Sequence, residues 1–456
     1  MAADKARPNN APGLSGWPEP LEFALKNGLR VLFAPREKSP LIEFRLVLTG
    51  GFSADIEHRK GLAALATAVF SEGVLTAGGV RLGSVLDGLG ALAHARVMPD
   101  AAIIGISALN ANFDEALDIF VNALINLEFT SEDFEILRAN QLARIADERL
   151  DPFQLALRVL PLSVYGKGHV YASPFTGSGS ETDVAAITGD DVRGYYAKHL
   201  NSQCTTIVVA GLSDRADLQA RLEQTFGDWP SAPASVLPTL PAQTAQHEAS
   251  VVIVNHPSAS QGFVAAAVGT FARNSKHAEP LMVLDALLGG MFTSRLNLSL
   301  RERKGWTYGV RSTLLDGSVQ GLWVIRTAVR MDRTMEAMAE IASDIQDLAG
   351  RRPPTVEEFS RAVDYLAARI PANVETCAQV ADALSDLIVH RLPASYMQTL
   401  ANNFRHLTTH DVTETCNEIV AAGDLRWMVV GEAAEMNDRL RDAGVEKIQV
   451  VDRNSA

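Results

Sequence analysis

A faint internal repeat constrains this chain more than any other feature in it. Ile187-Thr-Gly-Asp-Asp191-Val192 returns as Leu407-Thr-Thr-His-Asp411-Val412, and Val208-Val209-Ala210-Gly211 returns as Met428-Val429-Val430-Gly431. Both pairs are displaced by 220 residues; Phe134 and Phe359, in two similar helical patterns, are displaced by 225. One such match would be chance. Several in order, at nearly one spacing, argue for duplicated halves. A divider is also readable, because Pro230 to Ala245 runs PSAPASVLPTLPAQTA, with four prolines and no charged residue. That composition makes an extended, semi-rigid connection. The reading is therefore α+β, with one half over 18–230, a Pro/Ala-rich linker over 231–247 and a second half over 248–452.

Local patterns fill in the first half. Leu21 to Pro35 predicts two strands around an Asn27-Gly28 turn, a strong hairpin signal. A strand follows over Ile42–Leu48, ended by Gly50–Gly51. Helical patterns cover 60–72, 82–90, 113–126 and 131–149, with a strand at 101–108. Ser131 and the acidic Glu132-Asp133 suit the cap and first turn of the helix at 131–149. Gly177-Ser178-Gly179-Ser180 lacks the Lys-Ser/Thr of a phosphate loop and reads as a flexible connection.

Composition excludes several classes of function. The chain is 47% apolar and 21% charged, ordinary for a globular protein with a large core. No run approaches 18 apolar residues, so no transmembrane helix is expected. A net charge of −13 opposes nucleic acid or an anionic membrane as partner. Cys204, Cys377 and Cys416 form no CxxC and read as core thiols. Met1 to Gly16 is polar and Pro/Gly-rich, which as written is no signal peptide. Localisation stays unknown: periplasmic if a signal peptide has been removed before this chain, otherwise cytoplasmic.

Leu287 to Ser312, LLGGMFTSRLNLSLRERKGWTYGVRS, carries the densest chemistry. Leu287-Leu288 followed by Gly289-Gly290 predicts a helix stopped by glycine in the left-handed conformation. Leu296, Leu300 and the stem of Arg303 fit one helical face, Lys304-Gly305 closes that helix, and Trp306, Tyr308 and Val310 alternate as in a strand. Arg301 and Tyr308 then flank the turn, and both are rigid donors suited to a carbonyl or carboxylate. On residue chemistry alone, a surface arginine and a half-buried strand tyrosine explain the same pattern.

The spacing SRL-x3-LRE-x-KG-x-x-Y resembles the C-terminal-half signature of the pitrilysin and mitochondrial-processing-peptidase type of zinc metallopeptidase, the inverzincins. That resemblance implies two homologous α/β-sandwich halves in a clam-shell arrangement, with Arg301 and Tyr308 binding substrate backbone. It also implies zinc on His-x-x-Glu-His with a later Glu, the first Glu serving as base. The stretch Gly61-Leu62-Ala63 with Phe70 and Gly73 resembles the frame around that motif. In this frame the five motif positions are Ala64, Leu65, Ala66, Thr67 and Ala68. Both histidine positions are Ala and the base position is Thr, while Arg144 falls where the third ligand belongs. Elsewhere there is no HxxEH or HExxH; His406 and His410 read as surface imidazoles. Gly90–Val97 resembles the family's edge strand to which substrate adds, without the usual Asn. The family includes heterodimers in which one subunit keeps HxxEH and the other only the Arg/Tyr motif. The resemblance thus implies a non-catalytic subunit with no cofactor of its own, zinc in a homologous HxxEH-bearing partner, and a peptide substrate. The alternative is a structural or scaffold homologue with no proteolytic role.

Overall fold

The computed structural model describes residues 17–37, 39–55, 58–211, 214–229, 250–256, 259, 261–423 and 425–452. The segments read as N-terminal lead (1–16) and linker (231–247) lie outside them. Twelve strands among the described residues form two six-stranded sheets. The first is built from β1 (Leu21–Ala24), β2 (Arg30–Ala34), β3 (Leu41–Thr49), β4 (Leu92–Val97), β5 (Ala101–Leu109) and β6 (Thr205–Ala210), in the order β1-β2-β6-β3-β5-β4. The second contains β7 (Val251–Asn255), β8 (Gly262–Phe271), β9 (Thr307–Leu315), β10 (Gln320–Val329), β11 (Arg426–Gly431) and β12 (Ile448–Asp452), in the order β12-β7-β11-β8-β10-β9.

Five of the six positions correspond. Each sheet has a central parallel pair, β2 with β6 and β7 with β11, flanked by an antiparallel three-strand run. Parallel neighbours need a long crossover, which the intervening helices provide. The sixth position differs: β1 reaches β2 through the Asn27-Gly28 turn, with Gly28 at φ 84°, and pairs antiparallel. β12 arrives from the C-terminal side and pairs parallel with β7. Both central strands β3 and β8 are buried along most of their length, as strands covered on two faces are.

Of the repeated sequence motifs, the second lies in the matching strands β6 and β11 and the first is a helix cap. Thr188 and Asp191 form a reciprocal capping box at Gly189–His199, and Thr408 with Asp411 forms the same box at Thr409–Ala422. The helix read at 131–149 is Ser131–Leu150, but its cap is Thr130, whose hydroxyl accepts from Asp133 N–H at 3.0 Å. Ser131 therefore sits inside the first turn. A threonine one residue earlier has the extended backbone that a cap needs.

Neither sheet is covered by its own stretch of chain alone. The Pro152–Tyr165 helix crosses to pack on β8 and β11, while the Cys377–Val389 helix packs on β3 and β6. Leu155 and Leu160 share a core with Ala265, Val324 and Met428. Val380 and Leu384 share one with Val47 and Val208. Polar contacts pin both crossings. Tyr165 donates to the Gly321 carbonyl at 2.7 Å, and Arg45 and Arg96 both pair with Asp382. The three cysteines are buried and free. Among the described residues no helix is long and apolar enough to cross a membrane.

Candidate functional site

Residues 286–315 build one wall of a cavity of about 810 Å³ that both Arg301 and Tyr308 line. Its construction departs from the simple helix–turn–strand pattern. Ala286–Gly290 and Asn297–Arg303 are π-helical turns, which are wider than α-turns and are used where a side chain has to be re-aimed. Gly289 and Gly290 do not take the left-handed conformation expected of a glycine stop. Gly289 is needed for proximity instead: a Cβ there would lie 2.8 Å from the backbone nitrogen of Ser312 on β9. Gly305, at φ 63°, is the residue that turns the chain, and Trp306 N–H closes back to the Leu300 carbonyl at 2.9 Å. Leu296 and Leu300 are fully buried, whereas Arg303 is exposed.

Asn297 ties this turn to the strand. Its amide nitrogen donates to the Val310 carbonyl at 3.0 Å, and its oxygen accepts from Val310 N–H at 2.9 Å. Arg301 lies four residues after Asn297, and Tyr308 lies two before Val310. One buried amide thus fixes both partners relative to each other.

Tyr308 also breaks the expected alternation. Thr327 pairs with Val310 and Val329 with Thr307, so β9 advances three residues while β10 advances two. The extra residue is a bulge. It lets Thr307 and Val310 face the core side while Tyr308 and Gly309 share the place opposite Ala328. In a regular strand Tyr308 would point inward with Val310; here it is 92% exposed, so it is not a half-buried strand tyrosine. The Thr327 hydroxyl, 2.9 Å from the Thr307 hydroxyl and 3.0 Å from the Gly309 carbonyl, holds the bulge together with Thr307. The Arg301 guanidinium stacks 3.7 Å over Phe292 and is paired with Glu302 at 2.6 Å.

The positions of the zinc-binding frame lie elsewhere, on the Leu62–Ala68 helix, which packs on Ser131–Leu150. Zinc needs imidazole, thiolate or carboxylate donors. Ala64 and Ala68 present methyl groups, and the Thr67 hydroxyl is spent on the Ala63 carbonyl at 2.6 Å. Arg144 has no acceptor atom to offer a metal. It is no isolated cation, however, because Nε pairs with Glu148 at 3.0 Å and the guanidinium donates to the Thr176 carbonyl at 2.9 Å. Glu148 is itself saturated by Arg158 at 2.8 Å and the Ser178 hydroxyl at 2.6 Å. These residues do not fit zinc. Among the described residues no group of three His, Cys, Asp or Glu side chains is placed to hold a metal.

Ser178 corrects another expectation. The Gly177–Ser180 stretch is not a loose connection: Ser178 is fully buried, and Gln141 donates to both the Ser178 and Gly61 carbonyls. A Cβ on Gly179 would lie 2.1 Å from the Lys60 carbonyl oxygen. Close packing against the start of the Leu62–Ala68 helix explains the glycine. The expected edge strand is β4, which has a single neighbour, β5. His406 ends one helix and His410 begins the next, without a shared ligand geometry among the described residues.

Residues 186–366 match the family described as Peptidase M16 inactive domain. An uncharacterized zinc protease of Streptomyces coelicolor is 23% identical over 62% of this chain and 62% of its own length. The chain therefore spans less than two thirds of that relative. The crystal structure of a peptidase M16 inactive domain from Pseudomonas fluorescens superposes with a TM-score of 0.81 at 23% identity, covering 91% of this chain and 98% of that one.

Over residues 186–366 the chain matches the inactive domain of the M16 peptidases, a pitrilysin-like family.

The matched segment contains Arg301 and Tyr308 and leaves out Ala64, Thr67, Ala68 and Arg144. A chain of complex III2 from Candida albicans has the same fold, with a TM-score of 0.75 at 18% identity over 94% of this chain and all of that one. Sequence reasoning pointed to Arg301 and Tyr308 but not to Asn297, Phe292 and Thr327, which hold their surroundings. An asparagine on the apolar side of a helix, at Asn297 between Leu296 and Leu300, was the one available signal.

Proposed function

We propose that this chain is a non-catalytic subunit of a heteromeric zinc metallopeptidase. Its partner is a homologous chain with an intact HxxEH, which brings the zinc and the general base. This chain contributes Arg301 and Tyr308, which hold the substrate backbone in the shared chamber. Orientation and charge stabilisation need not come from the polypeptide that carries the metal. The observation behind the reading is that Arg301 and Tyr308 converge on one cavity in a chain whose Ala64, Thr67 and Ala68 offer zinc nothing. The two halves either side of 231–247 form one side of the chamber and close as a clam shell around an extended peptide.

The test is activity of the reconstituted pair. Arg301→Ala and Tyr308→Phe leave folding and assembly intact and lower kcat/KM, each removing a donor that contributes about 1–3 kcal/mol. Arg301→Lys restores little, because an ammonium does not reproduce the planar fork. Full activity of the double variant rejects the role of this pair, and strict monomer behaviour with every HxxEH homologue of its source rejects the subunit.

Likeness to a complex III2 chain favours a second reading, a scaffold without proteolytic role. An Arg/Tyr pair directed into a cavity has no use in such a scaffold. Pull-down followed by a peptidase assay separates the two.

A further inference from the structure

The same cavity has a charge pattern that the Arg301/Tyr308 pair does not account for. Four arginines line it, Arg301, Arg311, Arg326 and Arg369, and no lining residue is Asp or Glu. The chain as a whole carries 54 acidic against 41 basic residues, so this wall runs against the composition.

Arg311 and Arg326 are the informative two. They stand directly opposite each other on β9 and β10. Like charges in that relation destabilise a sheet. Among the described residues neither forms an ion pair. Arg326 Nε is buried without a hydrogen-bond partner, and its guanidinium lies 3.5 Å over the Phe153 ring on the crossing helix. Burial, with Arg311 as the next cause, lowers the Arg326 pKa. The acidic group acting on Arg326 is Asp151, whose carboxylate already accepts from Phe153 and Gln154 N–H at 2.9 and 2.8 Å. The two other cavity arginines are engaged, Arg301 with Glu302 and Arg369 with the Tyr365 hydroxyl. What remains is a pair of guanidiniums, five donors each, facing one cavity with no anion between them.

We propose that the Arg311–Arg326 pair binds a carboxylate of the peptide held at Arg301 and Tyr308, so that this subunit selects acidic substrates. The proposal rests on the peptide-binding reading above and adds the substrate class. A planar carboxylate accepts from two guanidiniums at once, and bound there it turns the repulsive cross-strand pair into an attractive triad. The carboxylate comes from an Asp or Glu side chain or from the peptide C-terminus, and the ligand chemistry is the same.

The experiment measures binding of short fluorescent peptides to the purified full chain by anisotropy. One peptide has a central Glu-Asp and an amidated end. A second has Gln-Asn and an amidated end, and a third has Gln-Asn with a free C-terminal carboxylate. At least one carboxylate-bearing peptide binds about tenfold tighter than the neutral one. Whichever does so identifies the source. The preference shrinks between about 0.05 and about 0.5 M salt. Arg311→Gln, at an exposed position, and the Arg311→Gln/Arg326→Gln double variant reduce it toward unity while neutral-peptide affinity stays unchanged. Arg301→Ala weakens all three peptides alike. Equal binding of all three, or a preference that survives in a folded Arg311→Gln/Arg326→Gln chain, overturns the proposal and leaves the Arg301/Tyr308 reading standing. A carboxylate preference with no effect of Arg301→Ala supports the arginine pair and rejects the role given to Arg301. Absence of binding by every peptide overturns both.

Discussion

Replacing Asn297 with Leu keeps the branched outline of the side chain, at a somewhat larger volume, and removes its bonds to Met291, Ser294 and Val310. The Val310 N–H and C=O then lose their buried partner, at a cost of about 2–4 kcal/mol in chemical unfolding. Peptide binding falls further than stability accounts for, because Arg301 and Tyr308 lose the bond that sets their separation. Asn297→Asp separates the two effects, since it keeps the acceptor for Val310 N–H and loses the donor. A second single-residue effect is set by acid. His199 is buried against Gly50 and Tyr195, and burial pushes its pKa down from 6.5 to about 4. Between those values the unfolded chain takes up a proton that the folded chain refuses. Its contribution is therefore complete above about pH 6.5 and is lost as pH falls toward 4, by roughly 1–3 kcal/mol. Urea midpoints of wild type and His199→Gln, compared at pH 7 and pH 5, show a shallower acid loss in the variant.

At the scale of elements, the bulge in β9 makes the sharpest prediction. Thr327→Val is nearly isosteric and buried, and it strips the hydroxyl that holds Thr307 and Gly309. The expected cost is about 1–2 kcal/mol, with a severalfold loss of kcat/KM in the reconstituted pair as Tyr308 loses its fixed outward aim. Unchanged activity in a folded variant separates the bulge from function. This bulge also marks a limit of what the sequence made legible. Helices and strands of the first half were readable from periodicity, and the echoed Thr-x-x-Asp segments were readable as repeats because both are capping boxes. Arg301 and Tyr308 were legible through their spacing in a resembling motif. Their exposure and mutual placement were not, because an inserted strand residue leaves no trace in a hydrophobic pattern. Nor does composition reveal that Arg311 faces Arg326, since cross-strand register is set by pairing 15 residues apart. Gly177–Ser180 was misread for a related reason: Gly and Ser mark loops, and only the fold brings Gly179 against Lys60.

For the molecule as a whole, the test of the metal reading is direct. The purified chain binds zinc at well below one equivalent and cleaves no peptide on its own, measured by metal analysis after desalting and by a peptidase assay. Stoichiometric zinc that a chelator removes together with activity of the isolated chain rejects the reading. The prediction follows from donors, because a guanidinium and two methyl groups cannot replace a carboxylate and two imidazoles.

The two crossing helices set the order in which this protein comes into being on the ribosome. β6 ends at Ala210, but the helix that covers its face with β3 ends at Val389. About 180 residues separate the two points, and synthesis at roughly 5–20 residues per second takes on the order of 10–40 s to supply the cover. Through that interval the nascent first sheet presents Val47, Ile103 and Val208 to whatever surrounds it. The Pro152–Tyr165 helix waits the same way for β8 and β11. A chain laced in this manner leaves its first sheet uncovered until Val389 is made, and its second sheet unfinished until β12 follows.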